Sequence, residues 1–391
     1  MLIWILADNN AVKYSAFKTL LGRFSKEYPD MDISFEIKSK KTLWKNFFKF
    51  LRDPEKNSMA DIVEIPQEWT AVFSKLGMFL ELESISDEIK DSDYPSFLRN
   101  SMKAEDSSRL FSAPFYGEIR SLHYRPDMIK AAKIKSNMEM LGWDEFISVC
   151  DSVSADNRRK NFFPLDNFNT SGADAADILP CVLNRGGEGY FSSDFGSCEI
   201  MKDEVAEGIE DYMSLFVRKY LPVFQENFYE AAFIESKLSA MAFSWRKPLK
   251  AGRNEMTVVP FPNLRRKNNP ARYYGFAVTC ACKETGEASV FLKWVLNFEN
   301  SSFFKKRLGV FEAKEKDLKK QLEKEQKIYG DLFASAVCPP NFSVYPSFEI
   351  IFSSAISDIC LEILRGDYSK ENLFRRLALI KGEADYLLSV Y

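Results

Sequence analysis

Asp61-Ile62-Val63-Glu64-Ile65-Pro66 is the stretch on which the fold turns. A short apolar run closed by proline, which cannot donate to a sheet ladder, reads as a buried strand. Upstream of it, Trp44, Phe47, Phe48 and Leu51 share a helical face, and before them Ile33, Phe35 and Ile37 alternate as a strand. Tyr14, Phe17, Leu21, Phe24 and Tyr28 repeat at three and four residues, the stripe of an amphipathic helix ended by Pro29-Asp30. Leu2 to Leu6 is the first strand. The order strand, helix, strand, helix, strand predicts a parallel sheet covered by helices, an α/β architecture. Ligands of such sheets sit beyond the carboxyl ends of the strands. That position nominates Asp8, Asn9 and Asn10 after the first strand, and Gln67, Glu68 and Trp69 after the third.

Downstream, a second region opens at Ala113-Pro114-Phe115-Tyr116-Gly117-Glu118-Ile119-Arg120, and Ser121 to Arg125 is strand-like. Gly142-Trp143-Asp144-Glu145-Phe146 begins a helix, and Ile209, Tyr212, Met213, Phe216, Val217 and Tyr220 form a helical stripe. Asn184 to Gly189 is glycine-rich but lacks both the Lys-Ser/Thr ending of a phosphate loop and the dinucleotide spacing, so it reads as a loop. Met256 to Phe261 is extended. Phe276 to Cys282 alternates, which would put Cys280 and Cys282 on one side of a strand. Val290, Phe291, Trp294, Val295 and Phe298 mark another helix. Residues 311 to 330, dense in Lys and Glu, read as a solvated helix held by i,i+4 pairs. Two closing helices follow. One carries Phe348, Ile351, Phe352, Ala355, Ile356, Ile359, Cys360 and Ile363; after Gly366 the other carries Leu373, Leu377, Ile380, Ala384 and Leu387.

Composition narrows the function. A chain of 391 residues fits two domains better than one core. A net charge of −3 offers no general attraction for nucleic acid, which is not expected as a partner. The basic stretch Arg265-Arg266-Lys267 with Arg272 reads as a solvated loop. The single histidine, His123, excludes a multi-histidine metal site and reads as a satisfied strand residue. No zinc-ribbon spacing links the seven cysteines, most of which read as buried reduced thiols, and no cofactor motif is present. No run is long enough to span a membrane. The chain starts without a secretory signal, so the expectations are a mature exported chain, periplasmic or tethered outside the membrane, or else a cytoplasmic protein.

A set of ordered landmarks resembles the family 1 extracellular solute-binding proteins of ABC transporters. Asp61 to Pro66 with Trp69 and Leu76-Gly77-Met78-Phe79-Leu80-Glu81-Leu82 is similar to one of its segments. Ala113 to Asp127 resembles its first crossover. Gly142-Trp143-Asp144-Glu145-Phe146 matches a helix start without the usual Pro-x-Thr. Lys237 to Trp245 resembles a further segment, with Lys237 where Gly is expected; Tyr274 to Val278 and Tyr345-Pro346-Ser347-Phe348 complete the series. The resemblance implies a two-lobed periplasmic-binding-protein fold, each lobe a sheet flanked by helices, with the ligand cleft between lobes and hinge closure on binding. It implies an N-terminal lobe of residues 1–113 plus 272–303 and a C-terminal lobe of 114–271 plus 304–391. It further implies a monomer that captures a small polar solute, a sugar by preference, for a membrane permease, and performs no catalysis.

A sugar asks for flat aromatic walls and fixed hydrogen-bonding partners. Trp245 with Arg246 offers both at one place, the rival reading being a core Trp. Trp69 is read the same way, against packing under a loop. Tyr116 and Glu118 alternate on the crossing segment, Arg120 shares their face, and Glu118 falls where maltodextrin-binding members carry a cleft carboxylate. Asn167 and Asn169 offer amides, and Tyr274 and Tyr345 lie on segments that carry the resemblance. The arginines leave room for a phosphorylated or carboxylated solute. Two further alternatives are a diverged sensor or protein-interaction module, and a carbohydrate-active enzyme using Glu68 and Glu118.

Overall fold

Leu2–Leu6 forms strand β1, and the chain continues through helix α1 (Ala11–Glu27), β2 (Ser34–Lys38), α2 (Lys40–Arg52) and β3 (Ile62–Pro66). Next come α3 (Thr70–Lys75), α4 (Ser96–Arg99), β4 (Ala113–Ile119), β5 (Ser121–Tyr124), α5 (Pro126–Ala131), α6 (Trp143–Asp156) and β6 (Leu165–Asp166). The later elements include α7 (Ala175–Arg185), α8 (Asp203–Val217), β7 (Met241–Ser244), β8 (Thr257–Val259), β9 (Asn269–Val278), β10 (Phe311–Glu312) and β11 (Ala336–Val337). This computed structural model describes residues 1–7, 11–105, 107–157, 162–167, 173–223, 238–248, 256–262 and 268–390. The chain divides into two compact units. Unit 1 comprises Met1–Glu118, Arg272–Glu325 and Cys338–Tyr345; unit 2 comprises Ile119–Ala271, Gln326–Val337 and Pro346–Tyr391. The family resemblance put changeovers at 113/114, 271/272 and 303/304; the compact units change over at 118/119, 271/272, 325/326, 337/338 and 345/346.

In unit 1 the strand order is β10-β4-β9-β3-β1-β2. β1 lies parallel between β2 and β3, Leu2 facing Ser34 and Trp4 facing Val63. The parallel sheet read from the sequence is therefore present at β2-β1-β3. The sheet as a whole is mixed, because β9 returns antiparallel against β3, Ile62 facing Val278 and Pro66 facing Tyr274. Every residue of β3 is buried, so both its faces need cover. On one side α2 brings Leu43 and Phe47 into a cluster with Trp4, Val63, Ile65, Trp69 and Phe73. Ser39 caps α2 by accepting from Thr42 N at 3.1 Å. Helix α1 buries Phe17, Leu20, Leu21 and Phe24, and Phe24 packs edge-on against Phe291 and Trp294 of the helix Thr285–Val295. Phenylalanine is frequent, 34 of 391 residues, and many of these rings interlock in the core in this way.

In unit 2 four short strands lie in the order β6-β7-β5-β8. β5 is central: His123 faces Ala242 on β7 and Val258 on β8. Helix α6 buries Phe146, Val149, Cys150 and Val153. Helices α7 and α8 cross tightly at Gly208, where a Cβ would lie 2.6 Å from Val182 Cα, so only glycine fits. The helix Tyr345–Arg365 buries Phe348, Phe352, Ile356, Ile359 and Cys360, and the helix Lys370–Val390 buries Leu373, Leu377, Ile380 and Ala384. Both are the stripes the sequence displays.

Four local readings change. Strand β9 ends at Val278, leaving Cys280 exposed and Cys282 buried beyond it rather than side by side on a strand. Residues 311 to 330 are not one helix: Phe311–Glu312 pairs with β4, and helices Glu315–Leu322 and Lys327–Ala334 follow, the first carrying the expected Lys319–Glu315 pair at 2.6 Å. Val217 belongs to the exposed side of α8, at its last residue. Arg272 is a strand residue of β9 in an ion pair, not part of a solvated loop; Arg265, Arg266 and Lys267 lie outside the described residues. Among the described residues no helix is long and apolar enough to cross a membrane.

Candidate functional site: one polar cluster in each unit

The carboxyl end of β3 carries Glu64 inside an otherwise apolar strand. Its Oε1 lies 2.6 Å from Lys13 Nζ and accepts from Tyr116 Oη at 2.7 Å, while Oε2 accepts from Leu6 N at 3.0 Å. Lys13 stands on the same face of α1 as Phe17, Leu20 and Phe24, so the helix buries the ammonium as it docks. Lys13 Nζ also donates to Tyr116 Oη at 2.9 Å. A buried ion pair of this kind holds because its remaining donors and acceptors are satisfied.

Tyr116 and Glu118 alternate along β4, as the sequence suggests. The Tyr116 ring stacks on Tyr274 of β9, with centroids 5.2 Å apart and planes 26° from parallel. Glu118 accepts from Arg272 Nε at 2.6 Å, and the Arg272 guanidinium lies 5.9 Å from the Tyr274 ring centre. Burial raises the Tyr274 phenol well above its ordinary range; Arg272 and Lys40 oppose that rise, and Glu118 and Glu68 add to it. Glu68 Oε1 sits 3.5 Å from Lys40 Nζ. Unit 1 therefore gathers Glu68, Tyr116, Glu118 and Tyr274 around two stacked phenol rings, each carboxylate facing a cation.

The remaining unit 1 candidates are packed inward, although Lys40 Nζ, which faces Glu68, also lies 5.7 Å from the Trp69 ring centre. Trp69 is in the aromatic core, 5.1 Å from Trp44 and 5.7 Å from Phe73 by ring centres. The Gln67 amide packs 2.9 Å from Ser112 Oγ. Tyr345 is buried against Phe342, 6.2 Å between rings. Asp8, Asn9 and Asn10 lie outside the described residues.

Unit 2 builds its cluster on Arg120, the residue between β4 and β5. Its guanidinium is fully buried, with Nη1 3.1 Å from Asp177 Oδ1. It lies 5.0 Å from the Trp245 ring centre and 5.5 Å from that of Phe243. Trp245 Nε1 donates to the same Asp177 oxygen at 2.9 Å. Asp177 is fixed by α7, where it forms a capping box with Asp174. Asn167 Nδ2 reaches Tyr212 Oη at 3.4 Å, and the Tyr212 phenol feels both Asp177 and Arg120. Arg246 N donates to Ser244 Oγ at 3.2 Å. Asn169 lies outside the described residues.

Sequence reasoning missed Lys13, Glu64, Arg272 and Asp177. The first two carried a signal: a lysine on the apolar stripe of α1 and a glutamate within a buried strand must find each other or pay desolvation. Arg272 was masked by its basic neighbours. Asp177 had no signal beyond its helix-start position.

Among the described residues no His/Cys/Asp/Glu cluster could hold a metal. Each of the two α/β units thus offers fixed donors, fixed acceptors and flat rings, and the fold is that of the two-lobed periplasmic binding proteins. The chain belongs to the bacterial extracellular solute-binding protein family, whose model matches residues 7–300. No curated protein matches it. Among solved structures, the GacH receptor of Streptomyces glaucescens is 15% identical with a TM-score of 0.79, covering 99% of this chain and 98% of its own. A solute-binding protein of Thermotoga lettingae bound with α-D-tagatose is 14% identical, with a TM-score of 0.82 and 99% coverage of each chain. The maltotriose-binding protein of Thermus thermophilus is 17% identical, with a TM-score of 0.79, over 98% of this chain and 99% of its own.

Proposed function

We propose that this protein is the substrate-capturing component of an ABC importer, that its solute is a sugar or oligosaccharide, and that it performs no chemistry on what it binds. The observation that carries the reading is Tyr274: a half-buried phenol ring stacked on Tyr116 and surrounded by Arg272, Glu118, Lys40 and Glu68. Aromatic faces suit the CH surfaces of a pyranose, and alternating donors and acceptors suit its hydroxyls. The three structural relatives above support it, since they are recorded with acarbose, α-D-tagatose and maltotriose. In this reading Glu68, Tyr116, Glu118 and Tyr274 serve from unit 1, and Arg120, Asn167, Trp245 and Arg246 from unit 2. The protein acts as a monomer on the outer side of the cytoplasmic membrane, free or tethered, and its macromolecular partner is the importer's permease.

A thermal-shift screen against mono- and oligosaccharides, polyols and sugar phosphates tests the proposal. A ligand at 100 times its dissociation constant adds about 2.7 kcal/mol to stability, an easily measured rise. A selective rise with a carbohydrate is expected. No rise with any of them, together with no bound small molecule in mass spectra of the purified protein, would remove the reading.

A further inference from the structure

Arg120 is fully buried, yet none of Nε, Nη1 and Nη2 makes a hydrogen bond of proper geometry. The 3.1 Å approach of Nη1 to Asp177 Oδ1 supplies charge contact without a well-directed bond, and that oxygen already accepts from Trp245. Buried donors are rarely left unsatisfied, because each has given up its bonds to water. The polypeptide thus presents a guanidinium edge whose acceptors must come from elsewhere.

The surroundings say what kind of acceptor. Trp245 and Phe243 set their rings within 5.0 and 5.5 Å of the guanidinium carbon, and the buried N–H groups are left as donors for oxygen atoms. Asp177 is the one carboxylate within 4 Å of the guanidinium among the described residues, and it balances the charge. Tyr212, which feels both Arg120 and Asp177, and its partner Asn167 carry no formal charge. His123, also close, is kept neutral by burial and by Arg120 itself. An anion entering this neutral pair would bury an uncompensated charge. A hydroxyl pair or ring oxygen would accept the free N–H groups without that cost.

We infer that Arg120 is a ligand-reading fork for an uncharged polyhydroxy solute, that Asp177 and Trp245 position it, and that sugar acids and sugar phosphates are therefore rejected. This deepens the solute-binding proposal and rests on it. The same side chains set the selectivity: Asp177 fixes the net charge of the cluster and Arg120 supplies the directed donors.

The experiment uses the full chain with neutral probes (glucose, galactose, mannose, maltose, maltotriose) and anionic ones (glucuronate, galacturonate, glucose 6-phosphate), read by calorimetric titration. The wild type is expected to bind a neutral probe and to bind its anionic counterparts at least about tenfold more weakly. Arg120→Lys keeps the charge but loses the fork, and is expected to weaken the neutral probe about 10- to 100-fold. Asp177→Asn still accepts from Trp245 but leaves the cluster cationic, and is expected to shift preference toward the anions. Circular dichroism and melting without ligand verify that each variant is folded, and Asp177→Asn carries the test alone if Arg120→Lys is not. Stronger binding of the anions by the wild type, unchanged neutral affinity in Arg120→Lys, or unchanged selectivity in Asp177→Asn each overturns the inference while leaving solute binding intact; an internal water satisfying Arg120 gives the second result. Folded wild type that binds no probe of either kind instead removes the sugar-binding reading beneath it.

Discussion

Lowering the pH from 7.5 to 5.0 is expected to destabilise the protein by about 2 kcal/mol through one side chain, His123. It lies buried on β5, its Nε2 3.1 Å from Ser121 Oγ. Burial, and secondarily the Arg120 cation, push its pKa down to about 3. In the unfolded chain the imidazole titrates near its ordinary value of about 6.5. The unfolded state therefore binds a proton that the native state refuses. Stability is complete above pH ~6.5 and is lost as pH falls toward about 3, at a rate approaching 1.4 kcal/mol per unit. Integrated to pH 5.0, the loss is about 2 kcal/mol. For unit 2, roughly 210 residues, that corresponds to a fall of about 4–8 °C in melting temperature. Because His123 is the only histidine of the chain, no other imidazole shares the window between pH 5 and 6.5. Urea melts followed by tryptophan fluorescence at pH 7.5, 6.0 and 5.0 measure it, with His123→Gln as the reference because its amide can still bond Ser121. An equal pH slope in wild type and variant would refute the reasoning.

Other perturbations have defined outcomes. Lys13→Met strands Glu64 without its cation and should cost about 3–5 kcal/mol, while Lys13→Met with Glu64→Gln should cost clearly less; denaturant midpoints of both decide it. Gly117→Ala sets a Cβ 2.3 Å from a ring carbon of buried Tyr273, and the forced shift should cost about 1–3 kcal/mol in the same assay. Native protein treated with a thiol reagent at neutral pH should react fastest at Cys280, the one exposed cysteine, more slowly at half-buried Cys338, and at all seven once unfolded. Rapid native-state labelling at Cys150, Cys181, Cys198, Cys282 or Cys360 would contradict their burial.

How much was legible depends on the range of the interaction. The strands Leu2–Leu6 and Ile62–Pro66 announce themselves because their cover is built from the helices beside them in sequence. The antiparallel return of β9 against β3 does not, since its partner lies some 200 residues away and its register is fixed only in three dimensions. In the site, the period-two spacing of Tyr116 and Glu118 was readable from the strand pattern. Lys13 and Glu64 were passed over because charges inside apolar patterns look like exceptions until their partner is known. Trp69 shows the converse: an aromatic after a strand can line a cleft or fill a core, and here Trp44, Phe47 and Phe73 surround it.

The long return of β9 also has a consequence for synthesis. Among the described residues β4 has no neighbours but β9 and β10, and β3 has only β1 until β9 arrives. At ~5–20 residues per second, the roughly 200 residues between β3 and β9 take about 10–40 s to emerge from the ribosome. Throughout that interval β3 presents an open row of backbone donors and acceptors to any extended chain nearby. Glu64, in the middle of that edge, and Pro66 at its end are the features that discourage such pairing before β9 claims it. A nascent chain stalled between the two strands keeps the edge open, and is the species a chaperone would have to shelter.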